Sequence, residues 1–181
     1  MTIKKNSKNS FSIENGSDKV KAVVTVNEDT LSFNIDSNDR TAVVDKPGDY
    51  EYGKLGVLAL ENTSLDYVSK INLAKVVVEG ISIVTFVGNT EPTKESVDNI
   101  GSVDILITKY LSGPNLKKIV DLLEPRSLVL FKDMAGNAEF DSESLKKDLA
   151  IVSVTEESSV KLKQSDFESE GDFVMNAYII K

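Results

Sequence analysis

The chain has 181 residues, 21 Lys plus Arg against 29 Asp plus Glu, and neither a histidine nor a cysteine. Its length suits one domain with a full hydrophobic core. The missing imidazole and thiol groups exclude zinc sites built from them, Ser-His-Asp and Cys-His nucleophile systems, disulfides and iron–sulfur ligation.

Any chemistry therefore falls to Asp, Glu, Lys, Tyr, Ser or Thr, and carboxylate sites for magnesium or manganese stay open in principle. The net charge of −8 is uneven, with 10 basic and 12 acidic residues in 1–90 but 11 and 17 in 91–181. That balance argues against nucleic acid, whose phosphates need clustered cations. The paired basics Lys117/Lys118 and Lys146/Lys147 fall in helical patterns and read as solvated faces. No apolar run approaches the roughly 18 residues of a membrane helix. Lys4, Lys5 and Lys8 look like the opening of a signal peptide, but no apolar h-region follows, so no leader is expected. The expectation is a cytoplasmic protein with a ragged N-terminus over 1–10 and a single domain over 11–181.

In chain order, Val20, Ala22, Val24 and Val26 alternate with polar residues, as do Leu31, Phe33 and Ile35, the period of half-buried antiparallel strands. Asn27 to Asp29 supplies hairpin residues between them. Further strands are expected in "TAVV", in "EYGKLGVLALE" and from Asp66 to Glu79, with turns at Pro47-Gly48 and Glu79-Gly80. The first half reads as a β meander. "ISIVTFVGNT" is a buried strand that stops at Gly88-Asn89.

The second half alternates strands with helices. "TKESVDN" has Thr93 as N-cap, Val97 and Ile100 one turn apart, and Gly101 as a stop. Strand "VDILIT" follows. In "GPNLKKIVDLLEP", Pro114 suits the first turn, Leu116, Ile119, Val120 and Leu123 form one stripe, and Pro125 ends the helix. Then come strand "SLVLF", a short helix from Asp141 to Asp148 anchored by Leu145 and Leu149, and strands near "AIVSV", "SVKLK" and "DFVMNAYII". This order predicts an α+β sheet sandwich with helices on its outer faces.

Four stretches carry a resemblance. "VVDKPGDYEYGKLGV", "VVVEGISIVTFVGNT…NIGSVDILIT", "LKKIVDLLEPRSLVLFKD" and the tail "SVKLKQSDFESEGDFVM" follow one another as in the small bacterial metallo-β-lactamase-fold proteins. These are the predicted zinc-dependent hydrolases related to ascorbate-lactone hydrolases. The resemblance covers roughly residues 41 to 181 and implies a truncated αββα sandwich. That family's activity rests on a binuclear metal site that activates water through an HxHxDH loop, a later His, a bridging Asp and a final His. Here Ile35 reaches Thr41 through only "DSNDR", so the His-rich loop is missing. Asn89 stands, within one position, where the family has its Asp, and a neutral amide cannot bridge two cations. Lys132 stands where the last His would be, with Asp133 beside it. An ammonium offers a metal no lone pair.

Asn89, Lys132 and Asp133 thus mark the vestigial site. With the family's metal ligands missing from a chain that otherwise resembles it, the expectation is no catalytic residue, no metal and no cofactor, and a pseudoenzyme that serves as a binding or scaffolding protein for an unidentified protein partner, with a homo-oligomer also open. The alternative is a metal-independent or carboxylate-metal hydrolase using Asp45, Asn89, Lys132 and Asp133. RNA binding is a weaker alternative. Asp45, Asp49 and Glu51 could hold a hard cation or be solvated turn residues. "SGPN" could hold an anion or simply cap a helix. Asn89 could brace a turn. Lys132 could be a buried base or an exposed strand end. Tyr50, Tyr52 and Tyr67 suit packing on strands.

Overall fold

The computed structural model describes residues 1–16, 19–37, 40–61, 70–88, 90–108, 113–131, 142–167 and 175–181, the side chains of 113 and 114 excepted. It is an α+β fold, mostly sheet, with three helices. The first sheet takes β1 (Thr2–Ser7), β2 (Ser10–Asn15), β3 (Val20–Asn27), β4 (Thr30–Ser37) and β5 (Arg40–Val44) as an antiparallel meander. The second begins with the antiparallel strands β6 (Gly48–Tyr52), β7 (Leu55–Glu61), β8 (Ile71–Val78) and β9 (Ile81–Phe86). It continues through α1 (Lys94–Ile100), β10 (Ile105–Thr108), α2 (Gly113–Leu123), β11 (Ser127–Phe131), α3 (Ser142–Leu149) and β12 (Ser153–Glu157). After β13 (Ser159–Lys161) the chain makes a 3-10 turn (Gln164–Phe167) and ends in β14 (Asn176–Ile180). The sheet orders are β13-β1-β2-β3-β4-β5 and β12-β14-β11-β10-β9-β8-β7-β6.

The predicted alternation decides which face each strand buries. Val20, Ala22, Val24 and Val26 of β3 and Leu31, Phe33 and Ile35 of β4 all point inward against the second sheet. From the other side come Val57, Val76, Ile83, Ile107, Val129 and Phe131. Where the two sheets meet, the rings of Phe11 and Phe131 stack with centroids 4.9 Å apart and planes at 23°, inside the favourable range for an aromatic pair. Strands β9, β10 and β11 read as continuous apolar runs because both of their faces are covered. Their second face carries Val84, Phe86, Leu106, Leu128 and Leu130, which pack against the α2 stripe Leu116, Ile119, Val120 and Leu123 and against Leu145 and Leu149 of α3.

Several expectations need correction. The ragged N-terminus is instead β1, which pairs with β2 on one side and β13 on the other, with Ile3 fully buried. Only one of its side chains is deeply buried, so its order comes from backbone pairing that periodicity cannot register. "EYGKLGVLALE" is two strands, because Gly53 adopts φ +65° and folds β6 back on β7 with Tyr52 opposite Leu55. The meander also splits: β5 ends the first sheet and β6 opens the second, with Pro47, which has no N–H to give a ladder, in the step between them. Of the run expected from Asp66 to Glu79, the strand is Ile71–Val78, and 62–69 lie outside the described residues.

The helices were expected on both outer faces. Among the described residues all three stand on the outer face of the second sheet. The first sheet turns Lys4, Glu14, Lys21, Asn34 and Asp36 outward instead, which suits a solvated antiparallel face. Burial there would raise the Glu14 carboxyl, but the Lys4 ammonium at 2.8 Å, the Ser12 hydroxyl and Lys21 outweigh it and hold the carboxyl below its ordinary range. The caps of α1 are as expected. The Thr93 hydroxyl accepts from the Ser96 N–H at 3.2 Å, and the Gly101 N–H donates to the Val97 carbonyl at 3.0 Å.

Candidate functional site

Parallel pairing aligns the C-terminal ends of β9, β10 and β11, with Phe86 opposite Thr108 and Thr108 opposite Leu130. In open α/β sheets this is the end where loops present catalytic groups. Asn89, Lys132 and Asp133 follow these strand ends in sequence and lie outside the described residues, so their mutual geometry is not part of the structure described.

The described residues at this end are closely packed. The Thr108 hydroxyl donates to the Phe86 carbonyl at 2.8 Å, and the Val87 N–H donates to the Asn72 carbonyl at 3.0 Å. Gly88 closes the strand over the Phe86 ring, where a Cβ would sit 2.9 Å from a ring carbon. That approach favours glycine at Gly88, which lies two residues beyond Phe86, where β9 ends. Phe131, the last residue of β11, is fully buried.

One polar group stands out. The Thr85 side chain is 1% exposed, and its hydroxyl has no hydrogen-bond partner among the described residues. Thr85 lies opposite Ala74 of β8 and Ile107 of β10, both buried between the sheets. Burying a hydroxyl without a partner costs roughly 1–3 kcal/mol. Thr85→Val keeps the branched shape and removes the orphan, so it should raise stability by about 1–2 kcal/mol in urea denaturation. A loss of stability would show that the hydroxyl is satisfied.

The remaining candidates are dispersed. Asp45, Asp49 and Glu51 are exposed, and no group of three or more acidic residues able to hold a metal ion occurs among the described residues. Tyr50 and Tyr52 pack partly buried against the inter-sheet core, and the Tyr50 hydroxyl donates to the Lys46 carbonyl at 3.1 Å, bracing the turn at Pro47-Gly48. Tyr67, Ser112 and the expected cap Asp141 lie outside the described residues. Lys117 pairs with Asp121 and Lys118 with Glu91, both at exposed positions.

The opposite end of the second sheet holds two features not anticipated from sequence. The first is a pin at the entry to β10. The Asp104 carboxylate accepts from the Ser82 N–H at 2.8 Å and from the Ser82 hydroxyl at 3.0 Å, while the Asp104 N–H reaches the Ser82 carbonyl at 3.0 Å. The next strand is fixed from the same residue, since the Ser127 N–H donates to the Asp104 carbonyl at 2.8 Å. Arg126 lies 3.9 Å from the carboxylate and donates to the Phe167 carbonyl, drawing in the 3-10 turn.

The second is an open cleft of about 1100 Å³ where the C-terminal ends of α1, α2 and α3 converge. Val103, Val120, Leu123, Leu149 and Met175 form its apolar floor, and Asp98, Asp121, Glu124 and Arg126 stand around it. Each helix ends on a residue of positive φ, Gly101 at 62°, Glu124 at 43° and Ala150 at 52°. Two of these are not glycine; Pro125 marks the end of α2 in the sequence, whereas Ala150 carries no such signal, and the convergence that makes the cleft is tertiary.

No family model matches the sequence, and no curated protein matches it. Among solved structures that match, a single-residue variant of the CmlA beta-hydroxylase shares 13% identity with a TM-score of 0.43. The match covers 76% of this chain and 32% of that one, a likeness too slight to bear on fold or function.

Proposed function

We propose that this chain is a histidine-free relative of the metallo-β-lactamase-fold hydrolases that works as a binding or scaffolding protein and not as a metal-dependent hydrolase. One observation carries the proposal: the sequence stretches that resemble that family occur in a chain with no histidine at all, and imidazole supplies most of the ligands of the family's site. The element order supports the relationship, with an antiparallel meander preceding βαβ units. The close packing around Gly88, Thr108 and Phe131 suits a strand end that serves the core. The alternative hydrolase gains no support from Asp45, which is exposed in the step between the sheets.

Metal analysis tests the proposal. Protein purified without chelator and dialysed against metal-free buffer should retain far less than one equivalent of any transition metal, and added zinc should leave its thermal midpoint unchanged. Stoichiometric, tightly held zinc or manganese would overturn the reading.

A further inference from the structure

If the chain binds a partner, the cleft at the helix ends is where the structure offers a surface for one, and this inference rests on the binding role just proposed. Its floor is apolar, and at its mouth Leu122 is 38% exposed. Three exposed carboxylates, Asp98, Asp121 and Glu124, rim it. Among the described residues of the lining the one basic side chain, Arg126, is engaged with Asp104 and the Phe167 carbonyl. The ends of α2 and α3 add the negative pole of each helix. In residues 91–181 acidic groups outnumber basic ones by 17 to 11, so the wider field has the same sign.

The lining also discriminates among kinds of occupant. Among the described residues no aromatic side chain lines the cleft, so they form no cage for a small organic cation. The polar side chains stand on its rim, whereas a small-molecule site places polar groups inside to fix orientation. An anionic membrane surface would be repelled. What fits an open apolar trough with a negative rim is an apolar anchor flanked by Lys or Arg. We infer that the cleft between α1, α2 and α3 docks a basic amphipathic segment of a partner protein, its apolar side chains on Val103, Val120 and Leu123 and its cations against Asp98 and Glu124.

Fluorescence anisotropy with three labelled helical peptides of about a dozen residues tests this: one of Leu and Lys at amphipathic spacing, one with Glu for Lys, and one with Ser for Leu. Only the first should bind, more weakly as salt rises. Asp98→Lys with Glu124→Lys should weaken it on the order of tenfold, whereas Glu51→Lys at the distant β6 edge should leave it within about twofold. All three substitutions are at exposed positions, so folding should survive, and urea midpoints verify it. Hydrogen exchange should slow over 97–103 and 120–126 when the peptide is bound. Binding of the acidic peptide, equal binding by the charge-reversed protein, or no binding of the Leu/Lys peptide would overturn the inference. The two proposals fail separately. Metal retention with peptide docking intact sinks only the metal-free reading, and a metal-free protein that ignores all three peptides sinks only the cleft.

Discussion

Phe131→Ala should cost about 3–5 kcal/mol in urea denaturation, the largest loss expected from any single substitution considered for this chain. The ring is fully buried at the end of β11 and stacks on Phe11 across the two sheets. Truncation loses both the apolar transfer energy and the contacts around the cavity, and strands held on both faces have little room to collapse into it. Phe131→Leu should recover much of the loss. A double-mutant cycle with Phe11→Ala should show coupling of about 0.5–1.5 kcal/mol for the stacked pair. A cost below about 1 kcal/mol for Phe131→Ala would mean that the ring is not packed between the sheets.

Asp104→Ala should cost about 2–3 kcal/mol, because it leaves the partly buried Ser82 N–H without its acceptor, while the Ser82 hydroxyl keeps the Ser102 carbonyl at 2.9 Å. Arg126→Ala, by contrast, should cost about 1 kcal/mol or less, since the guanidinium is 48% exposed and its separation from Asp104 is 3.9 Å. That ordering distinguishes a hydrogen-bonded pin from an ion pair. If Arg126→Ala proved the more damaging, the Arg126 contacts to Phe167 and Asp104, and not the Ser82–Asp104 hydrogen bonds, would hold this corner. Ser82→Ala keeps the backbone N–H bonded to Asp104, so it should fall between the two.

Much of the fold is legible in the sequence because burial imposes period. The alternation in β3 and β4, the stripe of α2 and the caps of α1 each follow from which side chains must leave water. What is not legible depends on distant partners. β1 carries Lys4 and Lys5 and a single fully buried Ile3, so nothing local announces a strand. β13 has three residues and joins the first sheet although its neighbours in sequence, β12 and β14, join the second. The step from β5 to β6 looks like any turn, although it separates two sheets. For the site, composition removes imidazole and thiol chemistry outright; Asp45 lies in the step between the sheets as its turn reading expected, whereas Asp49 and Glu51 belong to strand β6 and are exposed there. The cleft and the Asp104 pin escape sequence reading because each is assembled from separate segments, the ends of three helices in the cleft and Ser82, Asp104 and Ser127 in the pin.

The pairing of β1 with β13 also orders the folding of the chain. Strands β1 to β5 can zip as local hairpins as soon as they are made, yet Ile3 pairs with Val160 and Thr2 with Lys161. One edge of the first sheet therefore stays open until β13 has been made, and closing it means joining the ends of a very long loop. Such late, non-local pairing slows folding and leaves an unpaired strand edge available to other chains. The lysines of β1 are then useful before the native state exists, since charge on an open edge discourages a nascent chain from pairing with its neighbours.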